Sequence, residues 1–130
     1  MTNSLWLTGK VWSDNDGAFD IQEAPAAYTA TTVTLTIDDL RKRIITSTQT
    51  AAVTMTLPTG TLTDADFNTL PVDGSFDWTV LNLGSSSGAV TVQGGTGHTL
   101  VGSGAVAIST ATLFRTRKTA ANTFVTYRVG

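Results

Sequence analysis

Short runs in which apolar and polar residues strictly alternate, each stopped by Gly, Pro or Asp, constrain this chain more than any other feature. Residues 29–37 show the pattern most cleanly: Val33, Leu35 and Ile37 fall on one face, Thr32, Thr34 and Thr36 on the other. That period of two marks a half-buried strand. Similar runs cover residues 44–48, 51–57, 76–80, 89–93, 98–101, 105–108, 112–118 and 123–129. The breaks between them carry turn chemistry: Pro58 and Gly60, Asp73-Gly74, Ser85-Ser86-Ser87-Gly88, Gly94-Gly95-Thr96-Gly97 and Ala121-Asn122. About nine short strands, with turns roughly every 8–12 residues, predict an all-β domain. An antiparallel β-sandwich or a jelly-roll-like barrel over residues 29–130 is the expected form.

The alternation assigns Val33, Leu35, Val53, Met55, Leu57, Phe76, Trp78, Val80, Val90, Val92, Phe114 and Val125 to the core. One short helix is expected from Thr63, a capable N-cap, with Asp64 and Asp66 in the first turn and Pro71 blocking extension beyond Leu70. Composition supports strands: 26 of 130 residues are Thr and 14% are charged, which favours β-branched pairing over disorder or a coiled coil. The chain has no Cys, so a disulfide framework, thiol catalysis and a cysteine-ligated metal are excluded. Such usage suits a protein made in a reducing cytosol.

Residues 1–28 differ from the rest. Leu5, Trp6, Leu7, Val11, Trp12, Phe19 and Ile21 are scattered among Asp, Asn, Gly and Gln, and Ala24-Pro25-Ala26-Ala27 breaks the pattern. This reads as an extended N-terminal arm, with Trp6, Trp12 and Phe19 as candidate partner-binding residues, because exposed Trp side chains leave much apolar area in water. Their seat is either the chain's own sheet or a neighbouring subunit. Only Leu5-Trp6-Leu7 is continuously apolar before Lys10, whereas an export signal needs a run of about 7–15 residues. Residues 104–114 are interrupted by Ser109, Thr110 and Thr112 and fall short of the ~20 that span a bilayer. A soluble protein with no membrane partner is expected.

Charge is segregated. Residues 1–77 hold all ten acids and four bases, whereas residues 78–130 hold only Arg115, Arg117, Lys118 and Arg128. Such complementarity serves either packing within the chain or contacts between copies. Four bases without interleaved exposed aromatics make a poor phosphate-binding face, so no nucleic-acid partner is expected.

Little in the sequence indicates catalysis. His98 is the only histidine and lies in a Gly-rich bend, where a turn residue bonded to nearby backbone is the expected role. No Gly-x-Ser-x-Gly elbow occurs, and Gly94-Gly95-Thr96-Gly97 lacks the Lys and the following helix of a phosphate loop. Aligned to a calcium loop, Asp14, Asp16, Gly17, Asp20 and Glu23 fall at positions three, five, six, nine and twelve, but Trp12 holds position one and no helices flank the segment. A solvated acidic turn is the reading there. The carboxylate pairs Asp14/Asp16, Asp38/Asp39, Asp64/Asp66 and Asp73/Asp77 all lie at turns or helix starts, and none stands out as the acid pair of a glycosidase. No catalytic, metal or cofactor residue is assigned, and the chain is read as no enzyme.

From Val53 onward, the order of elements is distinctive. A strand ends in Leu57-Pro58, Trp78-Thr-Val-Leu-Asn82-Leu-Gly84 follows, then Ser87-Gly88-Ala-Val-Thr-Val92, Gly97-His-Thr-Leu-Val-Gly102 and a closing Phe124-Val-Thr-Tyr-Arg-Val129. This succession resembles a β-module of tailed-bacteriophage virion proteins, found in capsid decoration (cement) proteins, head fibres and tail fibres. The resemblance implies a homotrimer that binds the major capsid protein on the outer surface of the mature head and stabilises the shell. It therefore implies a virion location after synthesis in the host cytoplasm. Residues 1–28 lie outside it. The alternatives are a head-fibre or tail-fibre domain, and a carbohydrate-binding module presenting Trp6, Trp12, Trp78 or Tyr28.

Overall fold

The computed structural model describes residues 21–130 in full and, among the first twenty, the backbone of Ser4–Leu7 and Lys10–Ser13. In chain order the elements are β1 (Ser4–Leu7), β2 (Lys10–Ser13), β3 (Ala26–Tyr28), β4 (Thr32–Thr34), α1 (Ile37–Lys42), β5 (Ile44–Ser47), β6 (Val53–Thr56) and α2 (Gly60–Asp66). These are followed by β7 (Ser75–Asn82), β8 (Val90–Gln93), β9 (His98–Val101), β10 (Ala105–Val106), β11 (Thr110–Ala120) and β12 (Thr123–Arg128).

The chain is β-rich, as the alternation requires, but its sheets are mixed rather than antiparallel. One sheet runs β3-β5-β7-β11-β12-β9, the other β10-β8-β6-β4. Successive strands from β3 to β8 lie in opposite sheets, so neighbours within a sheet over that stretch are one winding apart and run the same way. Thus β3, β5 and β7 pair in parallel, as do β4, β6 and β8, and β9 joins β12 in parallel. Antiparallel pairing joins β7 to β11, β11 to β12 and β8 to β10. Alternation alone does not separate the two pairings, because the period is two in both.

The two sheets share one core. Val33, Val53, Met55, Val90, Val92 and Val106 come from the four-stranded sheet; Ile45, Trp78, Val80 and Phe114 come from the six-stranded one. Trp78 lies opposite Phe114 across the β7–β11 ladder, and their rings stack with centroids 4.8 Å apart. Two expected core positions shift. Phe76 is only partly buried, and on β12 the buried residues are Phe124 and Thr126, leaving Val125 on the opposite face. A one-residue change of register exchanges the two faces of a strand, and β12 has apolar residues on both.

There are two helices instead of one. The alternation of residues 29–37 ends early because Thr36 and Asp39 form a capping box that starts α1: Thr36 Oγ1 accepts from Asp39 N–H at 3.2 Å, and Asp39 Oδ2 accepts from Thr36 N–H at 2.9 Å. Arg43 closes α1 in the left-handed conformation, at φ 70°. The second helix begins four residues earlier than expected. Thr59 caps it, while Thr63 is buried inside and donates its hydroxyl to Thr59 O. Gly60 is required there, since a Cβ would lie 2.0 Å from Asn122 O in the β11–β12 turn.

The sheet begins at Ala26 rather than after residue 28, because Ala26–Tyr28 pairs with β5. Within the arm, β1 and β2 pair antiparallel, Leu5 opposite Trp12 and Trp6 opposite Val11. The side chains of Trp6 and Trp12, and all of Phe19, lie outside the described residues.

Candidate functional site

His98 is a core residue. It is 1% exposed, with Nδ1 3.0 Å from Pro58 O and Nε2 2.7 Å from Thr126 Oγ1. Thr126 Oγ1 lies 2.7 Å from Thr116 Oγ1, which accepts from Trp78 Nε1–H at 2.9 Å. An indole N–H only donates and a carbonyl only accepts, so one direction satisfies every member. Trp78 donates to Thr116, Thr116 to Thr126, Thr126 to His98 Nε2, and His98 Nδ1–H to Pro58. The imidazole is therefore neutral. Burial holds its pKa below the ordinary value, against the opposing pull of the Pro58 hydrogen bond. This chain crosses β7, β11, β12 and β9, and Trp78, Thr116, Thr126 and His98 are all buried. Its role is to specify the packing of the core.

The described carboxylates are likewise tied into the fold. Asp64 accepts from Lys118 Nζ at 2.7 Å and from Asn122 N–H at 2.8 Å, which lowers its pKa, and Asp77 is held low by a two-point pair with Arg115. Asp73 pairs with Arg117, Asp66 with Arg41 and Asp38 with Lys42. Asp39 accepts from the Tyr28 hydroxyl, whose pKa is pushed far up by burial first and then by this carboxylate. The two charge-segregated parts thus meet within the chain: Arg115, Arg117 and Lys118 each find an acid from the first 77 residues. Asp14, Asp16 and Asp20 lie outside the described residues, and no metal-holding cluster occurs among the described ones.

Two surface features stand out. The larger is a cavity of ≈ 830 Å³ at the carboxyl ends of the parallel strands β4, β6 and β8, beside α2. Leu35, Ile37, Leu57, Pro58 and Leu62 supply its apolar lining, with Thr hydroxyls and Asp66 beside them. The second is the outer face of the six-stranded sheet. Register places Ile44, Thr79, Leu113 and Val129 in one row across β5, β7, β11 and the end of β12. Leu81 and Ala111 form the next row, while the ion-paired Asp77 and Arg115, followed by Tyr127 and Val101, lie on the other side. Ile44, Leu113 and Val129 flank Thr79 in the first row, and Val129 is 48% exposed.

The sequence signals this face through strands that are apolar on both sides. Leu113-Phe114, Phe124-Val125 and Leu100-Val101 put apolar residues on both faces of their strands, whereas a sheet wet on one side is polar there. Of the aromatic residues expected in a glycan-binding reading, Trp78 is buried and the Tyr28 hydroxyl is engaged with Asp39, so neither presents an open platform. No known protein family, curated protein or solved structure matches the chain.

Proposed function

We propose that this protein is a bacteriophage capsid decoration protein, which binds the outer surface of the mature head as a homotrimer and stabilises the shell. The observation that carries the reading is the cluster of Ile44, Leu81, Ala111, Leu113 and Val129 on the outer sheet face, apolar groups of the kind found at association sites. The resemblance of residues 53–129 to phage virion modules supplies the partner, the major capsid protein. Trp6, Trp12 and Phe19 supply contacts to the capsid or to an adjacent subunit. The finer architecture belongs to the same proposal: the two sheets face each other as a sandwich over their shared core.

Decoration works by linkage. A protein that binds the assembled shell and not its dissociated subunits stabilises the shell by about 2.7 kcal/mol per site at a hundred times Kd. Two measurements test the reading. Light scattering on the purified chain should give a trimer mass, and cosedimentation with mature tailed-phage heads should raise the temperature at which the heads open. A monomer that neither sediments with heads nor shifts that temperature would refute it.

A further inference from the structure

We infer that the cavity of ≈ 330 Å³ between α1, the end of α2 and the start of β7 binds a small aryl carboxylate, whose carboxylate is held by the Arg43 guanidinium. Nothing in this site depends on the decoration reading.

Charge balance points to an anion. Arg41, Arg43 and Arg115 line the cavity, and two of these guanidiniums are committed. Arg115 bonds Asp77 at two points, 2.6 and 3.1 Å, and Arg41 pairs with Asp66 at 3.2 Å while donating to Asp66 O at 3.0 Å. Arg43 is half-buried, and its side chain makes no hydrogen bond or ion pair among the described residues. It acts on Asp77 only across space, since Arg115 already fills that carboxylate. Two neutral pairs and one free guanidinium leave the cavity a single positive charge. The Arg43 backbone is pinned on both sides, its N–H donating to Leu40 O at 3.1 Å and its C=O accepting from Thr79 N–H at 2.8 Å. The side chain is thus presented from a fixed point. A second donor is also open: Arg41 Nε is buried with no hydrogen-bond partner among the described residues, where buried polar groups are normally paired.

The walls select the rest of the ligand. Phe67 and Phe76 have ring centroids 4.6 Å apart, and the Arg41 guanidinium lies 4.8 Å over the Phe67 ring. Phe76 is only partly buried by the core and leaves ring surface to the cavity, against which a flat aromatic group can pack. A guanidinium fork matches a carboxylate through two parallel bonds. A phosphate monoester carries about −1.5 to −2 at pH 7 and would set its surplus charge against Asp77, whereas one carboxylate matches one free guanidinium. The volume of ≈ 330 Å³ lies near the low end of ligand cavities, roughly 300–1,000 Å³, which limits the body to a small ring system.

Benzoate is the probe, titrated into the full-length protein and followed by amide NMR shifts. It should bind with a Kd of about 1 mM or tighter and move the amides of Arg43, Ser75 and Phe76. Benzamide, its neutral counterpart, and acetate, which lacks the ring, should each bind at least about tenfold more weakly. Inorganic phosphate should not displace it. These comparisons use the unaltered chain, so they hold whether or not a variant folds. Arg43→Gln should weaken benzoate at least about tenfold and erase its advantage over benzamide, with circular dichroism unchanged. Lys42→Gln removes a neighbouring charge that does not line the cavity, and should leave the Kd within about twofold. No benzoate shifts at this cavity, or full affinity without Arg43, would overturn the inference. Acetate or benzamide binding as well as benzoate, or phosphate displacing it, would overturn the ligand class. Equal losses in Lys42→Gln and Arg43→Gln would reduce the effect to diffuse charge and overturn the site.

Discussion

Replacing Thr126 with valine removes one hydroxyl at nearly constant volume, and two buried groups lose their partners at once. His98 Nε2 loses its donor and the Thr116 hydroxyl loses its acceptor. Each buried group left unsatisfied costs about 1–3 kcal/mol, so Thr126→Val should destabilise by about 2–6 kcal/mol. In a domain of this size, about 1 kcal/mol moves Tm by about 3–5 °C, so Tm should fall by about 6 °C or more. Thr116→Val strands only the Trp78 N–H, because Thr126 still donates to His98, and should cost about half as much. The double variant should cost less than the sum, because the hydrogen bond between the two threonines is counted in both singles. Urea unfolding followed by tryptophan fluorescence gives all three values. A Thr126→Val protein within about 0.5 kcal/mol of the parent, or strictly additive variants, would refute the directed chain.

Other consequences are checkable with the same material. Burial lowers the His98 pKa, so the unfolded chain takes up the proton first: stability is full above about pH 6.5 and falls as pH drops toward the folded value. His98→Gln should flatten urea midpoints between pH 7.5 and 5.5, the range expected of a lone histidine. Asp64 and Asp77 have lowered pKa values, so their contribution is present above about pH 3.8 and lost as pH falls through the folded values; Asp64→Asn should shrink that acid limb in a pH titration followed by circular dichroism. Gly60→Ala forces a Cβ against Asn122 O and should cost about 3 kcal/mol or more in thermal melts, whereas Ala in an ordinary helix would be favourable. Because Arg115, Arg117 and Lys118 are paired within the chain, the solution mass should not change between low and high salt; dissociation in salt would assign those charges to contacts between copies.

Much of the fold was legible in local pattern. Val53, Met55 and Leu57 alternate inward as read, and the turns at Asp73-Gly74 and Ala121-Asn122 fall where their residue types belong. What escaped depends on distant partners or on competing local signals. The box of Thr36 and Asp39 sits inside an unbroken alternation, so a strand pattern masked a helix start. Val125 and Phe124 are both good core residues, and only the seating of Thr126 in the polar chain decides between them. Strand order is invisible to periodicity, and with it the row that joins Ile44 to Leu113.

The alternation of strands between the two sheets also dictates how the chain can reach its native state. Among β3 to β12, only β11 and β12 are joined as a hairpin, across the tight turn at Asn122, where φ is 55°. Hairpins of this kind close in about 1–10 μs. Every other pairing within a sheet must wait for the chain to visit the opposite layer and return, so neither layer has a route to completion without the other. The entropy of those closures precedes any reward from the core, which places the domain among slow folders, in the millisecond-to-second range. The β11–β12 hairpin is the natural first structure, and substitutions there should slow folding, whereas substitutions in β3 or β4, added at the far edges, should mainly speed unfolding.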